Sequence, residues 1–357
     1  MVNITAIITT YNRDKYLYKN INILDKQCRS FIYKVLVIDN ASNININKYN
    51  NDFISIIHNK NLGGSGGYTR GLYEAHKDKE CTHVLLMDDD IEFKPSILKS
   101  SIDFISKQNN DDWLGFAMMK LDKPNIQFEL GAYWNGIRMH NNNKNLDLSN
   151  PNDLKKNIPN KKYNYSAWWS LIMPISVIDK YGYPFPFFIK FDDIEYGLRR
   201  RDEHIRFNSD FKIWHESFDK KFNPYLEYYL VRNSFITNAL HFKHAKWLSL
   251  IRYLGKCVKY YFKGRYKAIK MTNLGCKEYF IGPDLFIKNN ISEINKRILN
   301  ISNIPINICK SIIIYPFIAL SNSLKIIFKF NKIKKQYLNK YKYLTSEEYW
   351  LKQFEIK

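Results

Sequence analysis

The sequence predicts an α/β protein with a mainly parallel sheet, followed by a mostly helical and basic C-terminal domain. Two observations indicate this architecture. Short apolar runs alternate with amphipathic stretches over residues 1–120, a pattern typical of a parallel α/β sheet. After Leu240 the strand pattern stops and basic, helix-like stretches take over. We therefore place two domains at residues 1–240 and 241–357. Hydrophobic residues make up 45% of the chain and aromatic residues 16%, which excludes a disordered or collagen-like protein.

Four short apolar runs, rich in β-branched residues, predict buried strands at Val2–Thr9, Tyr33–Ile38, Ile54–His58 and His83–Met87. Three amphipathic stretches predict helices at Lys15–Lys26, Gly71–Lys79 and Pro95–Lys107. The Asn-rich segments 141–145 and 150–162 predict loops. In parallel sheets, ligands bind beyond the carboxyl ends of the strands. The polar residues after each predicted strand are therefore the first candidates for a site.

The net charge of +21 is distributed unevenly. Residues 241–357 contain 23 Lys and Arg against 6 Asp and Glu, so they carry +17, whereas residues 1–240 carry +4. Biased codon usage explains many lysines, but bias alone would not leave two thirds of the chain nearly balanced. Two functional explanations for the basic region remain, namely a nucleic acid or an anionic membrane surface.

The C-terminal third favours the membrane surface. His241–Arg265 has apolar residues at helical spacing with Lys and Arg between them, which predicts a basic amphipathic helix on an anionic leaflet. Ile304–Phe330 is interrupted by Lys310, Pro316 and Lys325, so we expect it to fall short of the ~20 apolar residues of a membrane span. The basic third has no zinc motif or nucleic-acid recognition pattern, and we expect no nucleic-acid partner.

The cysteines indicate the compartment. All five lie far apart without a Cys-x-x-Cys pair, at Cys28, Cys81, Cys257, Cys276 and Cys309. This spacing argues against a disulfide framework or a cysteine zinc site and suits a reducing cytosol. The short apolar start of the chain lacks a basic flank, so we expect no signal peptide. Together with the basic helix, this predicts a cytoplasmic protein, peripheral on the inner face of the cell membrane.

Asp88-Asp89-Asp90 directly follows the fourth predicted strand. Two carboxylates two residues apart at a strand end can both reach one divalent cation, and oxygen ligands of this kind suit Mg²⁺ or Mn²⁺. A solvated acidic turn is the alternative. His215, in Ile213-Trp-His-Glu216, is either a hydrogen-bonded structural histidine or a third ligand of the same metal.

The segment Asn61-Leu-Gly-Gly-Ser-Gly-Gly67 precedes the second predicted helix. Its four glycines would let the backbone approach a ligand and expose its amides, although a flexible loop is equally consistent with them. The segment is neither a Walker A loop nor the dinucleotide Gly-x-Gly-x-x-Gly motif.

Two further features bear on chemistry. Asp193 follows the aromatic run 185–191, and a carboxylate in apolar surroundings can serve as a general base, while acids at a helix start also complement its dipole. Adjacent residues of a strand face opposite sides, so one of Trp168 and Trp169 can pack in the core while the other lines a cleft for a sugar ring or a uracil base. Two core tryptophans are the alternative.

Together these motifs resemble those of inverting family 2 glycosyltransferases with the GT-A fold, a Rossmann-like arrangement. Within that family they are most similar to the bacterial galactofuranosyltransferases that polymerise cell-wall galactan. The resemblance covers about residues 1–240 and rests on motifs in the same order, namely Thr10-Tyr-Asn-Arg13, Asn61–Gly67 with Arg70, Met87–Ile91, Trp168-Trp169, Phe188–Arg199 and Trp214-His215. The C-terminal third matches only in its helical and basic character.

The resemblance implies a role for each matching residue. The metal, Mn²⁺ or Mg²⁺, would be bound by Asp88, Asp90 and His215, and Asp193 would be the general base. The residues implied to bind the UDP-sugar donor are Thr10, Arg13, Asp39, Asn61, Arg70, Asp89 and Lys190. Those implied to bind the acceptor are Trp168, Trp169 and Glu129.

The resemblance also implies a reaction. Galactofuranose would pass with inversion from UDP-galactofuranose to a hydroxyl of a lipid-linked surface polysaccharide, such as a capsule or O-antigen. Transfer of another nucleotide sugar, for example rhamnose or glucose, stays open, as does a homo-oligomeric state. A basic nucleic-acid-binding protein is the alternative from a different class.

Overall fold

In a computed structural model, the structure describes residues 2–42, 45–159, 163–200, 205–216 and 222–356. The chain divides into two compact units. The first comprises residues 1–134, 139–184 and 196–220, and the second comprises residues 135–138, 185–195 and 221–357. The domain boundary that the sequence predicts, after Leu240, lies within one residue of the end of α7 (Leu226–His241), a helix of the second unit.

A β-sheet forms the core of the first unit. Its strands are β1 (Ile4–Thr10), β2 (Lys34–Asn40), β3 (Ile54–Asn59), β4 (His83–Asp88), β5 (Ile91–Phe93), β6 (Trp113–Lys120), β7 (Lys123–Glu129), β10 (Ser170–Pro174) and β11 (Ile205–His215). A separate pair joins β8 (Ala132–Trp134) and β9 (Met139–Asn141). In the described ranges the strand order is β3-β2-β1-β4-β10-β6-β11-β5, with β7 beside β6.

The first four strands are mutually parallel, and β11 is parallel to β6, whereas β10 runs antiparallel to both of its neighbours. All four predicted strands are present, and the predicted mainly parallel α/β sheet is confirmed. β-branched and leucine side chains of these strands, such as Ile8, Val37 and Leu85, are fully buried. Continuous apolar runs of this kind are typical of strands that are covered on both faces.

The helices of the first unit are α1 (Asp14–Gln27), α2 (Gly63–Lys77), α3 (Pro95–Ile105), α4 (Pro151–Lys156) and α5 (Val177–Tyr181), and α6 (Asp192–Leu198) contributes its last three residues. The short α4 lies in a segment predicted to be loop. Asn150 caps it by accepting a hydrogen bond from the Asn152 N–H, and Pro151 occupies its first turn. Both residues favour a helix start, and together they outweigh the loop-like composition.

The glycine-rich segment is not a loop, and the predicted helix start at Gly71 is wrong, because α2 begins at Gly63. A Cβ atom at Gly67 would lie 2.2 Å from Thr9 Cγ2, and one at Gly71 would lie 2.3 Å from Ile7 Cγ2. These two glycines therefore let α2 pack directly on β1 without a side chain in between.

The second unit is helical. After α7 it contains α8 (Ala245–Phe262), α9 (Tyr266–Tyr279), α10 (Asp284–Ile287), α11 (Ile291–Asn303), α12 (Ile308–Leu344) and α13 (Glu347–Phe354). Stacked aromatic rings form part of its core, where Tyr279 lies 4.9 Å from Phe330 and 5.6 Å from Tyr337 between ring centroids. The predicted helix in His241–Arg265 is present as α8.

The helix α12 runs unbroken through Pro316, which corrects the prediction that this stretch is too interrupted to resemble a membrane span. A window of 18 residues has a mean hydropathy of 1.6, so by length and composition the helix is apolar enough to cross a membrane. Proline removes the N–H that would bond to the carbonyl oxygen of Ile312. The Tyr261 hydroxyl donates to that oxygen at 3.4 Å and compensates for the missing bond.

Candidate active site

The carboxyl ends of neighbouring strands bring several predicted residues to one edge of the sheet. In the register of the parallel pairs, Thr10 lies beside Asp39, and Thr9 lies beside Asp88. Since β1 is the central strand of these three, residues from β2 and β4 flank Thr10 on either side. This is the edge at which ligands bind in α/β sheets.

Asp88, Asp90 and His215 form a cluster that could hold a metal ion, with ligand atoms within 4.8 Å of one another. His215 Nε2 lies 3.1 Å from Asp90 Oδ1 and 3.6 Å from Asp88 Oδ2. The histidine reaches the acids because the last residue of β11 pairs with Ile91, the residue directly after Asp90. Residues 127 positions apart along the chain therefore meet at one point.

The chemistry of this cluster fits a divalent metal. Asp90 Oδ1 is buried and lies 3.1 Å from His215 Nε2. His215 Nδ1 lies 2.8 Å from the backbone oxygen of Glu216, so Nδ1 carries a hydrogen, and loss of the proton from Nε2 would leave a lone pair there for a metal. Two carboxylates and one imidazole nitrogen are a suitable donor set for Mn²⁺ or Mg²⁺.

The pKa values of the residues in and beside this cluster show how strongly it attracts positive charge. Burial alone would lower the pKa of His215, but the carboxylates of Asp88 and Asp90 outweigh it and raise the pKa to about 10. Burial would raise the pKa of Asp90, yet His215 and Arg13 outweigh it and lower the pKa. Burial raises the pKa of Asp89 to about 7, against the opposing effects of Arg13 and Thr10. A cation at this position would relieve the repulsion among the three acids.

Asp89 is held from two sides. The Thr10 hydroxyl donates to Asp89 Oδ2 at 2.7 Å, and Arg13 Nη1 pairs with Asp89 at 3.3 Å and also with Asp90. The Asn20 side chain donates to the backbone oxygens of Asp89 and Ile91, at 3.1 and 2.9 Å. The structure thus brings the predicted donor-binding residues Thr10, Arg13 and Asp89 together beside the candidate metal cluster, which Arg13 contacts through Asp90.

Tyr68 is a residue of this site that sequence reasoning missed. Its hydroxyl lies 2.7 Å from Asp88 Oδ1 and 3.2 Å from the backbone oxygen of Trp168, and donates to these acceptors. Tyr68 directly follows the glycine-rich motif on α2, which was the available signal. Asn20, on α1, lies outside every motif, and nothing in the single sequence marks it.

The two adjacent tryptophans have different surroundings. Trp168 is 4% exposed and packs edge-on against Tyr68 and Tyr196, at 5.4 and 6.0 Å between ring centroids. Trp169 is half-buried and lies 6.2 Å from the His215 ring, and its backbone oxygen accepts the Asp88 N–H. Trp168 is therefore a core residue in this conformation, and Trp169 borders the metal cluster.

Four other predicted residues have side-chain partners outside the cluster. Asp39 accepts the Ser42 N–H at 2.8 Å, with His58 Nδ1 3.0 Å from its other oxygen. Asn61 accepts the Gly63 N–H at the start of α2. Arg70 donates to Glu74 at 2.9 Å, and the buried Glu129 accepts from Asn141 at 2.5 Å. These contacts fix local structure, and none of them involves Asp88, Asp90 or His215.

Lys190 and Asp193 belong to the second unit. Asp193 is the second residue of α6 and half-buried, with its Oδ1 accepting the Ile194 N–H at 2.8 Å. The loop before it has φ angles of 77° at Phe188, 65° at Lys190 and 74° at Phe191. Such left-handed backbone costs energy in residues other than glycine and persists only where surrounding contacts hold it.

Two adjacent residues of α7 provide these contacts. Asn233 Nδ2 donates to the backbone oxygens of Ile189 and Lys190, at 3.0 and 2.8 Å. Arg232 is 1% exposed and donates to the Phe187 oxygen at 2.8 Å. Sequence reasoning missed both residues, and the available signal was the polar run Arg232-Asn-Ser234 between apolar residues of α7.

Comparison with known proteins supports the same family. Residues 5–162 match the family described as Glycosyl transferase family 2. Galactofuranosyltransferase GlfT2 of Mycolicibacterium smegmatis is 27% identical over 250 residues, which are 65% of this chain and 38% of that protein. GlfT2 of Mycobacterium tuberculosis is 27% identical over 249 residues, 65% of this chain and 39% of that protein. The chain thus spans less than half the length of these relatives.

Solved structures show the same fold. S. aureus TarS 1–349 in complex with UDP-GlcNAc superimposes with a TM-score of 0.52 at 15% sequence identity, covering 95% of this chain and 92% of that one. A second crystal structure of S. aureus TarS 1–349 gives a TM-score of 0.50 at the same identity and coverage. These structures show the GT-A fold, and the family match over residues 5–162 lies within the part of the chain that forms the sheet.

Proposed function

We propose that the chain is an inverting, metal-dependent galactofuranosyltransferase that transfers galactofuranose from UDP-galactofuranose to a hydroxyl of a lipid-linked surface polysaccharide. The cluster of Asp88, Asp90 and His215 carries the proposal, because it fits a divalent ion at the ligand-binding edge of a family 2 domain. The similarity to two galactofuranosyltransferases supports the choice of sugar.

The first unit would supply most of the residues that bind the donor. Asp88, Asp90 and His215 would hold Mn²⁺ or Mg²⁺, which when bound stabilises the negative charge that develops on the departing diphosphate. Arg13 is 52% exposed at its side chain and pairs with Asp89 and Asp90, so it would be placed to bind the diphosphate beside a metal that Asp90 helps to hold. The other residues that we propose to contact the donor are Thr10, Asp39, Asn61, Arg70, Asp89 and Lys190.

Asp193 would be the general base. One carboxylate on the side opposite the leaving group suffices to take the proton of the acceptor hydroxyl in a single inverting displacement. Glu195, two residues along α6, is fully buried and accepts hydrogen bonds from Tyr341 at 2.6 Å and from His241 at 2.8 Å. It is therefore engaged in holding the helix, which leaves Asp193 as the better candidate. Trp169 would line the acceptor cleft, supported by Trp168 and Glu129.

Two variants separate these roles. Asp193→Asn should abolish transfer while UDP binding in the presence of Mn²⁺, measured by calorimetry, stays nearly unchanged. Asp90→Ala should instead weaken metal-dependent UDP binding. Asp192→Asn, at the neighbouring half-buried position, is the matched control and should retain transfer. Equal loss of binding and transfer in Asp193→Asn would make Asp193 a structural residue, and unaltered metal dependence in Asp90→Ala would remove Asp90 from the ligand set.

A further inference from the structure

The helix α8 borders a cleft of about 410 Å³ lined with cationic side chains. The cations are Arg138, Arg252, Lys256 and Lys259, and Gly255 forms part of its wall. Arg138 and Lys259 are exposed, whereas Arg252 and Lys256 are partly buried beneath them. Four cations around one cleft create a positive local field, which favours the binding of an anion that fits the cleft.

The inner part of this cleft is already arranged. Arg252 donates to the Ile137 backbone oxygen at 2.6 Å and to Ser234 Oγ at 3.1 Å, and Lys256 is paired with Glu227 at 2.5 Å. Burial lowers the pKa of Lys256 to about 8, with the charge of Arg252 adding to the effect. The cationic side chains thus repel one another despite the presence of Glu227, and a bound anion would reduce this repulsion.

The adjoining face of α8 is apolar and exposed, and Ile251 borders both this face and the cleft. Trp247, Ile251, Leu254, Val258 and Phe262 follow helical spacing and are 39% to 83% exposed. An apolar cavity of about 290 Å³ continues this stripe, lined by Leu254, Val258 and Phe262 of α8 and by Ile269, Tyr315 and Pro316. An exposed patch of this kind marks a surface that contacts something apolar.

In the first half of α12 several polar side chains are buried and many apolar side chains are exposed, which is the reverse of a helix that faces water. Between residues 308 and 328 the buried side chains include Ser311, Asn322 and Ser323. The exposed ones include Ile312, Ile313, Phe317, Leu320, Leu324 and Phe328, between 40% and 79%. A helix that faces water buries its apolar side, so this orientation is favourable when the outer face meets hydrocarbon.

We propose that α8 and the first half of α12 bind a phosphate-bearing lipid of an anionic membrane. Its phosphate would occupy the cationic cleft, and its hydrocarbon chain would lie on the apolar stripe and enter the apolar cavity. The argument for lipid is that the cationic cleft and the apolar stripe adjoin each other on one helix. The lipid site itself does not depend on the proposed function. Only the further step, that this lipid carries the acceptor glycan, rests on that function.

The test uses the full chain with vesicles of phosphatidylcholine, with or without phosphatidic acid. Gly255→Glu puts a carboxylate into the cleft, and because no atom lies within 4 Å of a Cβ there, the helix tolerates it. We expect about tenfold weaker binding to the phosphatidic acid vesicles. The control with the same charge change is Lys340→Gln, at an exposed position of α12, which should bind like the original chain.

The apolar stripe is tested separately. The double variant Leu254→Asp/Val258→Asp should lose at least tenfold in binding to both vesicle types, whereas Leu338→Asp, at a position 45% exposed, should not. Vesicle binding unchanged in Gly255→Glu and in the double variant would overturn the inference. The inference would also be overturned if Gly255→Glu abolished binding of free pyrophosphate but left vesicle binding unchanged. Release of the protein from membranes by detergent alone, and not by alkaline carbonate, would overturn it as well.

The inference and the proposed function fail in different ways. Gly255→Glu should transfer sugar to a soluble galactoside acceptor at the original rate, since the cleft is assigned no part in the reaction. Vesicle binding without any transfer from UDP-galactofuranose counts against the proposed function alone. Normal transfer with vesicle binding that none of the variants changes counts against the lipid site alone.

Discussion

The Tyr68 hydroxyl lies 2.7 Å from Asp88 Oδ1, while Asp88 Oδ2 lies 3.6 Å from His215 Nε2. The hydrogen bond to Tyr68 fixes the rotation of the carboxyl group, so that one oxygen stays directed at the histidine. A residue on α2 therefore orients a candidate metal ligand at the end of β4. Partners of metal ligands contribute to affinity in this way without touching the ion.

Tyr68→Phe should bind Mn²⁺ about tenfold more weakly, because Asp88 loses the hydrogen bond that orients it. Calorimetric titration of the metal-free protein with Mn²⁺ measures this change. Tyr73→Phe, a buried tyrosine further along α2, is the control and should bind Mn²⁺ normally. Equal affinities of Tyr68→Phe and the original protein would exclude Asp88 from the metal site or Tyr68 from its support.

Asn233→Ala should lower kcat at least tenfold with little change in KM for the donor. The variant removes both hydrogen bonds that hold the loop at Ile189 and Lys190, three residues before Asp193, and small displacements of a base are costly. Asn322→Ala also removes a buried hydrogen bond in the second unit, to the Tyr253 hydroxyl, and should lower the melting temperature without lowering kcat. A fall in kcat of equal size in both variants would assign Asn233 a purely structural role.

His83 should make the first unit less stable in acid. The residue is 6% exposed in β4, and burial lowers its pKa from 6.5 to about 4. The unfolded chain therefore binds the proton more readily than the folded one, so stability is intact above pH 6.5 and falls as the pH drops toward 4. The free energy of unfolding should therefore fall between pH 7.5 and pH 5, and His83→Gln should make this fall smaller by about 2 kcal/mol. Urea titrations at the two pH values measure it, and an identical pH dependence in the variant would contradict the shift.

Gly67→Ala and Gly255→Ala should have opposite effects on stability. The new methyl group at Gly67 would lie 2.2 Å from Thr9 Cγ2, and overpacking of this kind costs roughly 1–3 kcal/mol. At Gly255, inside α8, no atom lies within 4 Å, and alanine should stabilise the helix by about 0.5–1 kcal/mol. Thermal unfolding of both variants checks this, and a tolerated Gly67→Ala would mean that α2 does not depend on close contact with β1.

Features encoded by local patterns were predictable. Strands β1 to β4 have continuous apolar runs, and the polar residues after them follow from parallel topology, so the edge with Thr10, Asp39 and Asp88 was accessible from the sequence. The choice of His215 as a metal ligand rather than a structural histidine required the family resemblance, because nothing local links positions so far apart. Only the three-dimensional structure shows that Tyr68 supports Asp88.

Other features depend on tertiary contacts and reverse the local preference. The glycines of α2 indicate a loop by propensity, and only the close contact with Thr9 and Ile7 explains why they are helical. Pro316 indicates a break, and only the Tyr261 hydroxyl explains why α12 continues. The side of α12 that faces outward cannot be read from its composition either, because the first half of the helix buries Ser311, Asn322 and Ser323 while Ile313 and Phe317 are exposed.

The choice of donor sugar tests the account most directly. The purified chain would be incubated with Mn²⁺, a galactoside acceptor and either UDP-galactofuranose or UDP-galactopyranose, and the glycosylated product measured with and without a metal chelator. We expect transfer from UDP-galactofuranose alone, lost on chelation and restored by added Mn²⁺. Transfer only from pyranose donors, or transfer from UDP-galactofuranose that chelation leaves unchanged, would contradict the assignment.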